Sequence, residues 1–287
     1  MIDRRAFLAR AAGACASLAI PSQGAGETLS LVFVRGLASV GVASAERGVQ
    51  LGAEEAARTG ALVGRTVELH TVDGPRAESI GERRPDAIVG GYSAEWVRTV
   101  TGIAEGAGIP FLNVDVAADS LRGPDCHPLL FHVAPSDAML ATARAGSPPG
   151  TFAAAWHHSL ERFGAAQLND RFRARFGTGM DGVAWAGWMA VKVVWEASLR
   201  ARSTAPASIL AYLRRDGTQF DGQKGWPLSF RAWDGQLRQP LYLLAGEGDA
   251  TRPVGEVPTR ADPEGQSSRE ALDALGADST TSTCATR

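Results

Sequence analysis

Short apolar runs alternate along the chain with stretches of helical period, most clearly in residues 86–115, DAIVGGYSAEWVRTVTGIAEGAGIPFLNVD. Ala87-Ile88-Val89 is a strand-like run that ends at Gly90-Gly91. A helical pattern follows from Ala94 to about Gly106, and Ile109 to Leu112 is a second apolar run closing at Asn113 and Asp115. Strand, small-residue turn, helix and strand make one βαβ unit of a parallel sheet. In such sheets ligands sit outside the carboxyl ends of the strands, where Tyr92, Ser93, Asn113 and Asp115 fall. The helix after Ser93 begins at the same end, so its unpaired N–H groups offer a place for a small anion. A second reading stays open, in which Gly-Gly-Tyr-Ser is only a tight turn with Ser93 as N-cap.

The same grammar extends upstream. Residues 29–34, LSLVFV, read as a buried parallel strand, and a Gly/Ser-rich loop leads into a helix over about 43–59 with Val49, Ala53 and Ala56 on one face. Residues 66–72 predict a second strand, 76–84 a short helix, and 129–133 a further apolar run. At 146–150, GSPPG, the pattern changes. Residues 151–176 carry Phe152, Ala155, Trp156, Leu160 and Phe163 at helical spacing and predict a helix. Residues 180–202 predict another, with Trp185, Trp188, Val191 and Trp195 in a stripe that fits a core better than a ligand cage. A third helix spans 206–215, and 228–233 with 240–245 read as a hairpin around Asp234-Gly235. From 247 onward the chain is polar and predicts an irregular tail. The class is α/β: a Rossmann-like parallel sheet followed by helices and a β-hairpin.

Composition narrows the function more than the fold. A hydrophobic content of 45% over 287 residues is ordinary for a globular protein. The net charge of −2 gives no footprint for nucleic acid. No apolar run reaches the roughly 18 residues of a membrane span. Residues 1–26 read as a targeting segment: Arg4-Arg5 precede Phe7-Leu8 and an alanine-rich apolar run, then Pro21 and small residues. This resembles a twin-arginine export signal, with Asp3 in place of the usual Ser or Thr and cleavage expected between Ser22 and Glu27. With Cys15 removed, the exported chain keeps Cys126 and Cys284, and two readings are open: a disulfide, or two separate thiols.

No catalytic, metal or cofactor constellation stands out. His70, His127, His132, His157 and His158 lack the i, i+4 spacing of a helical metal site, and on the predicted helix the adjacent His157 and His158 diverge. No nucleophile elbow surrounds Ser136-Asp137, and Gly90-Gly91 lacks the spacing and lysine of a phosphate loop. Lys224, Arg231, Arg238 and Gln239 form a polar cluster, read either as a docking surface or as a solvated hairpin face.

Several segments resemble a known family. RTGALVGRTVELHTVDG, DAIVGGYSAEW and GIPFLNVDVAADSLRG are similar to the first lobe of type I periplasmic solute-binding proteins of the leucine/isoleucine/valine-binding class. LRGPDCHPLLFHVAPSDAM, FGAAQLNDRF and GQKGWPLSFRAWDGQLRQPLYL resemble, more narrowly, the ABC-transporter substrate-binding protein linked to PQQ-dependent alcohol oxidation. The resemblance implies a non-enzymatic periplasmic binding domain over 27–246, a small organic solute and an ABC permease as partners, and a link to a quinoprotein system. It also implies that Tyr92-Ser93 and Asn113 to Asp115 contact the solute, Ser93 through its hydroxyl. Asp115 suits an amine, hydroxyl or cation better than an anion. The chain departs from the family near 138–150, where the second lobe's alternating strands and helices are expected but not found. An accessory or scaffold protein that has lost solute binding is the alternative.

Overall fold

The computed structural model describes residues 27–259 and 268–284, so the export segment lies outside the described residues. The chain builds β1 (Thr28–Arg35), α1 (Val40–Leu62), β2 (Thr66–Asp73), α2 (Ala77–Gly81), β3 (Ala87–Gly90), α3 (Ala94–Ala107), β4 (Phe111–Asn113) and β5 (Leu130–His132). These five strands form one parallel sheet in the order β2-β1-β3-β4-β5. It is the only parallel sheet among the described residues. Alternate residues of the strands go to opposite faces. Leu31, Phe33, Val89, Leu112 and Phe131 join one core, while Val32, Val34, Ile88, Phe111 and Leu130 join the other, with Trp96, Val97 and Val100 of α3. Burial on both faces is why these strands read as continuous apolar runs.

The larger core is closed by α6 (Gly182–Ala201), which lies along α1. The approach is unusually close. A Cβ added at Gly48 would stand 1.9 Å from the Ala184 carbonyl oxygen, and one at Gly187 2.6 Å from that of Ala45. Gly48→Ala is therefore expected to destabilise the protein by about 1–3 kcal/mol, because the clash is with backbone and outweighs the ~1 kcal/mol that Ala gains in helix propensity. An unchanged urea midpoint would refute this close packing. The Trp stripe of α6 is core: Trp185, Trp188 and Trp195 are buried, and Trp185 stacks on Trp156 with centroids 6.0 Å apart.

Downstream of β5 come α4 (Asp137–Arg144), β6 (Phe152–Ala154), α5 (Ala165–Phe176), α6 and α7 (Pro206–Arg214). Then follow β7 (Phe220–Asp221), β8 (Pro227–Phe230), β9 (Leu237–Arg238), β10 (Leu241–Ala245), β11 (Arg252–Val257) and α8 (Ser268–Asp273). Four expectations change here. Residues 151–176 are not one helix. Phe152–Ala154 pair with β10 as a strand, and Phe163 and Gly164 take positive φ before α5 starts. The open edge of β10 is the competing partner, and it overrides the helical spacing. His157 and His158 accordingly do not diverge; their rings lie 4.1 Å apart off any helix. The predicted hairpin pairs differently: β8 pairs with β9, and β10 belongs to a second antiparallel sheet, β11-β10-β6. The tail is not irregular throughout either, since β11 extends that sheet and α8 buries Leu272, with Leu275 just beyond.

The polar cluster of the hairpin is neither a docking surface nor a solvated face. Lys224, Arg231, Arg238 and Gln239 are all buried. The Lys224 ammonium donates to Gln239 Oε1 at 2.8 Å and to the Pro240 carbonyl at 3.0 Å, and sits 3.8 Å from the Trp185 ring centroid. Burial pushes it well below the usual lysine range, and Glu256 opposes that shift. Cys126 and Cys284 are disulfide-bonded, with Cα atoms 5.6 Å apart.

Candidate functional site

The strand order reverses direction between β1 and β3, and ligand crevices of open α/β sheets lie at the carboxyl ends of strands at such a point. Two turns meet there. β1 ends in Arg35-Gly36, and β3 ends in Gly90-Gly91-Tyr92. A Cβ at Gly36 would stand 2.5 Å from Cβ and Cγ of Tyr92, so only a glycine lets the Tyr92 side chain lie against the β1 turn. Tyr92 keeps 36% of its surface exposed, and Leu37 and Val40 nearby are 73% and 86% exposed. Together they give this edge an open apolar rim.

Tyr92 and Ser93 line a cavity of about 450 Å³ with Gly36, Leu37, Arg76 and Glu95. Ser93 is the N-cap of α3: its extended backbone lets Oγ accept the Trp96 N–H at 3.2 Å. The N-cap reading of this serine is thus seen in the structure, and a hydroxyl that accepts the cap bond still has its own proton to donate. The N–H groups of Ala94 and Glu95 have no acceptor within the helix. Glu95 in the first turn places a carboxylate beside them, and Arg76 supplies a cation on the same wall.

Asn113 and Asp115 lie outside that cavity's lining, and their roles differ. Asn113 is fully buried and its amide is consumed internally. Oδ1 accepts the N–H groups of Asp115 and Val116, while Nδ2 donates to the Val116 carbonyl and lies 3.1 Å from His132 Nδ1. Direct solute contact, expected of Asn113 from its position, is thus corrected: it shapes the turn that presents Asp115. That carboxylate is half-buried and accepts no hydrogen bond among the described residues. A Cβ at Gly41, in the first turn of α1, would stand 3.1 Å from its Oδ2. Burial raises the Asp115 carboxyl above the ordinary aspartate range, and the charge of Asp181 adds to the rise. Asp181 caps α6 through the Ala184 N–H and accepts the Ser44 hydroxyl at 2.6 Å.

Sequence reasoning missed Asp181, Gly36 and Gly41. An Asp before a helical pattern is a legible cap, but nothing in the sequence places residue 181 beside residue 115. Among the described residues no group of three His, Cys, Asp or Glu is arranged to hold a metal ion, and no helix is long and apolar enough to cross a membrane.

No protein-family model matches the chain, and no curated protein matches it. Solved structures do. A periplasmic binding protein from Burkholderia mallei superposes with a TM-score of 0.71 at 12% identity, over 90% of this chain and 98% of that one. A solute-binding protein of an ABC transporter from Rhodopseudomonas palustris, in complex with benzoate, gives 0.69 at 14% identity over 90% and 99%. The branched-chain amino acid transporter substrate-binding protein of Streptococcus pneumoniae, in complex with isoleucine, gives 0.64 at 14% over 79% and 99%. The fold is that of the type I periplasmic binding proteins. The Tyr92-Ser93 turn and Asp115 stand at the carboxyl edge of the parallel sheet.

Proposed function

We propose that the chain is the periplasmic substrate-binding component of an ABC importer for a small organic solute, working without enzymatic activity. The observation that carries this reading is the pairing of unlike groups at one sheet edge. The Ser93 hydroxyl and the α3 N-terminus suit an acceptor such as a carboxylate or hydroxyl oxygen. Asp115, a carboxylate with no donor among the described residues, suits an amine or hydroxyl. Tyr92 covers the solute and Asn113 positions Asp115. The Cys126–Cys284 disulfide supports residence in an oxidising compartment such as the periplasm. With one parallel sheet among the described residues, the solute is held on an open face, and weaker affinity than in a two-lobed cleft follows. The long hairpin motif that folds around Lys224, Arg231, Arg238 and Gln239 carries the narrower assignment to a PQQ-linked alcohol-oxidation system.

Calorimetric titration of the exported form with small acids, alcohols and amino acids tests the reading. Ser93→Ala is expected to weaken the solute by roughly 1–2 kcal/mol, one hydrogen bond, and to cost stability of about 1 kcal/mol through the lost cap. Ser93→Gly separates the two effects, because glycine caps almost as well. Affinity unchanged in both variants moves the solute away from this turn.

Asp115→Asn is expected to raise stability at neutral pH by about 0.5–2 kcal/mol while abolishing preference for solutes with an amine. The sign follows from linkage. A carboxyl whose folded pKa is raised binds its proton more tightly in the folded state. Its ionisation therefore removes stability as pH rises from the ordinary aspartate value through the raised one. An Asn variant no more stable than the parent at neutral pH contradicts the burial argument.

Exposed Leu37 and Val40 beside Tyr92 favour a second reading, a scaffold that docks through this open face. No response to any solute, together with a dimer lost on Val40→Glu, would select it.

A further inference from the structure

Two cavities that have no lining residue in common with the one at Tyr92 and Ser93 share a wall. One of about 440 Å³ is lined by Arg214, Arg215, Arg238 and Arg269, with one carboxylate, Asp216, and with Ser229. The other, about 270 Å³, is lined mainly by Pro128, Phe131, Leu213 and Phe230. Leu213, Arg214, Phe230 and Ala232 border both, so the basic and apolar chambers adjoin. Pro128 and Phe131 mark the place of the apolar chamber: it lies beside β5 and the end of α7, away from Tyr92 and Asp115.

The electrostatics of the basic chamber are unbalanced. Of its four arginines, Arg269 is paired with the exposed Asp216 at 2.6 Å. The Arg214 side chain donates only to the Pro128 carbonyl, and the Arg215 guanidinium has no ion-pair or hydrogen-bond partner among the described residues. Arg238, 1% exposed, spends Nε on Asp273 and Nη1 on Ser229 Oγ and the Phe230 carbonyl. Its Nη2 is buried with no hydrogen-bond partner, although the guanidinium lies 5.2 Å from the Trp233 ring centroid. Asp273 is itself shared with Arg231. A buried guanidinium nitrogen without an acceptor is costly, and native structures normally satisfy such donors.

We propose that this double cavity is a second binding site, taking a small organic anion with an apolar body. The carboxylate enters the arginine chamber, where Arg215 and Arg269 receive it and the buried Arg238 guanidinium in the wall adds its charge. The hydrocarbon body fills the chamber lined by Phe131, Leu213 and Phe230. The combined volume falls in the range of small-ligand pockets. Burial holds Arg238 below the ordinary arginine range despite Asp273, and Arg269 and Arg231 push it the same way, so a bound anion relieves a strain already present. An inorganic anion would leave the apolar chamber unfilled.

Thermal-shift and calorimetric titration of the full exported chain with octanoate, octanol, octylamine and inorganic phosphate test the proposal. Octanoate is expected to bind and raise the melting temperature, octanol to bind at least tenfold more weakly, and octylamine and phosphate to give no response. The double variant Arg215→Gln/Arg269→Gln, both exposed positions, is expected to weaken octanoate roughly tenfold or more with the unliganded melting temperature unchanged. Octanoate binding that Ser93→Gly weakens and the double arginine variant leaves alone would lie at the sheet edge and overturn the proposal. Absence of octanoate binding, equal binding of octanol, binding of phosphate alone, or octanoate affinity unmoved by the double arginine variant each overturns the proposal.

Discussion

Arg231→Met is expected to lower the unfolding free energy by about 3–5 kcal/mol, the scale of breaking a buried, multiply bonded charge. Arg231 is 1% exposed. Its Nε donates to Asp273 Oδ1 at 3.1 Å and Nη1 to the Ala277 carbonyl at 3.2 Å. Nη2 donates to the carbonyls of Leu272 at 3.0 Å and Leu275 at 2.7 Å. Those oxygens belong to the last turn of α8 and the residues after it, the end of a helix where carbonyls lack intrahelical partners. One guanidinium therefore caps α8 and fastens the C-terminal segment to the hairpin loop. Methionine matches the volume but leaves these acceptors buried and unpaired. Urea unfolding decides it: a loss under ~1 kcal/mol would show that the segment carries no stability, and Arg231→Lys, with its single point charge, should recover only part of the loss.

Cys284→Ser is expected to cost about 2–4 kcal/mol under oxidising conditions and nothing once the parent is reduced. The bond joins residues 158 apart in sequence, a loop for which the chain-entropy limit is about 5 kcal/mol. Its second effect is local. The bond anchors residues 277–284 against the turn at 119–126, where a Cβ at Gly123 would stand 2.5 Å from Thr283 Oγ1. Parallel urea curves for parent and variant, with and without reductant, give the answer. A parent midpoint insensitive to reductant would remove the disulfide from the stability of the fold. Cys284→Ser and Arg231→Met should also be non-additive, since both release the same terminal segment.

The five-stranded sheet was legible because each strand's environment is encoded locally. Val32, Val34 and Ile88 on one face and Leu31, Phe33 and Val89 on the other write a continuous apolar run, and Gly90-Gly91 and Asp73-Gly74 punctuate it. The core placement of the Trp stripe was legible in the same way, from its helical spacing. The sheet edge bearing Tyr92, Ser93 and Asp115 followed from connection rules, because a βαβ unit fixes which end of the strands carries the turn.

What the sequence could not show depends on partners distant in the chain. Residues 152–154 have helical spacing, yet the free edge of β10, some ninety residues on, makes them a strand. Lys224, Arg231 and Arg238 look like surface residues by type, but Trp185 and Gln239 enclose the first, and the C-terminal segment folded back over the hairpin pairs with the other two. Asn113 has the chemistry of a ligand contact, but His132 and Val116 take its amide first. Asp115 gains its raised proton affinity first from burial and then from the charge of Asp181, which the α1–α6 packing brings up from 66 residues away. Local periodicity determined the elements and the edge on which the site lies. Long-range packing decided which polar side chains there stay open to a solute, because burial and pairing are set by neighbours that no local pattern names.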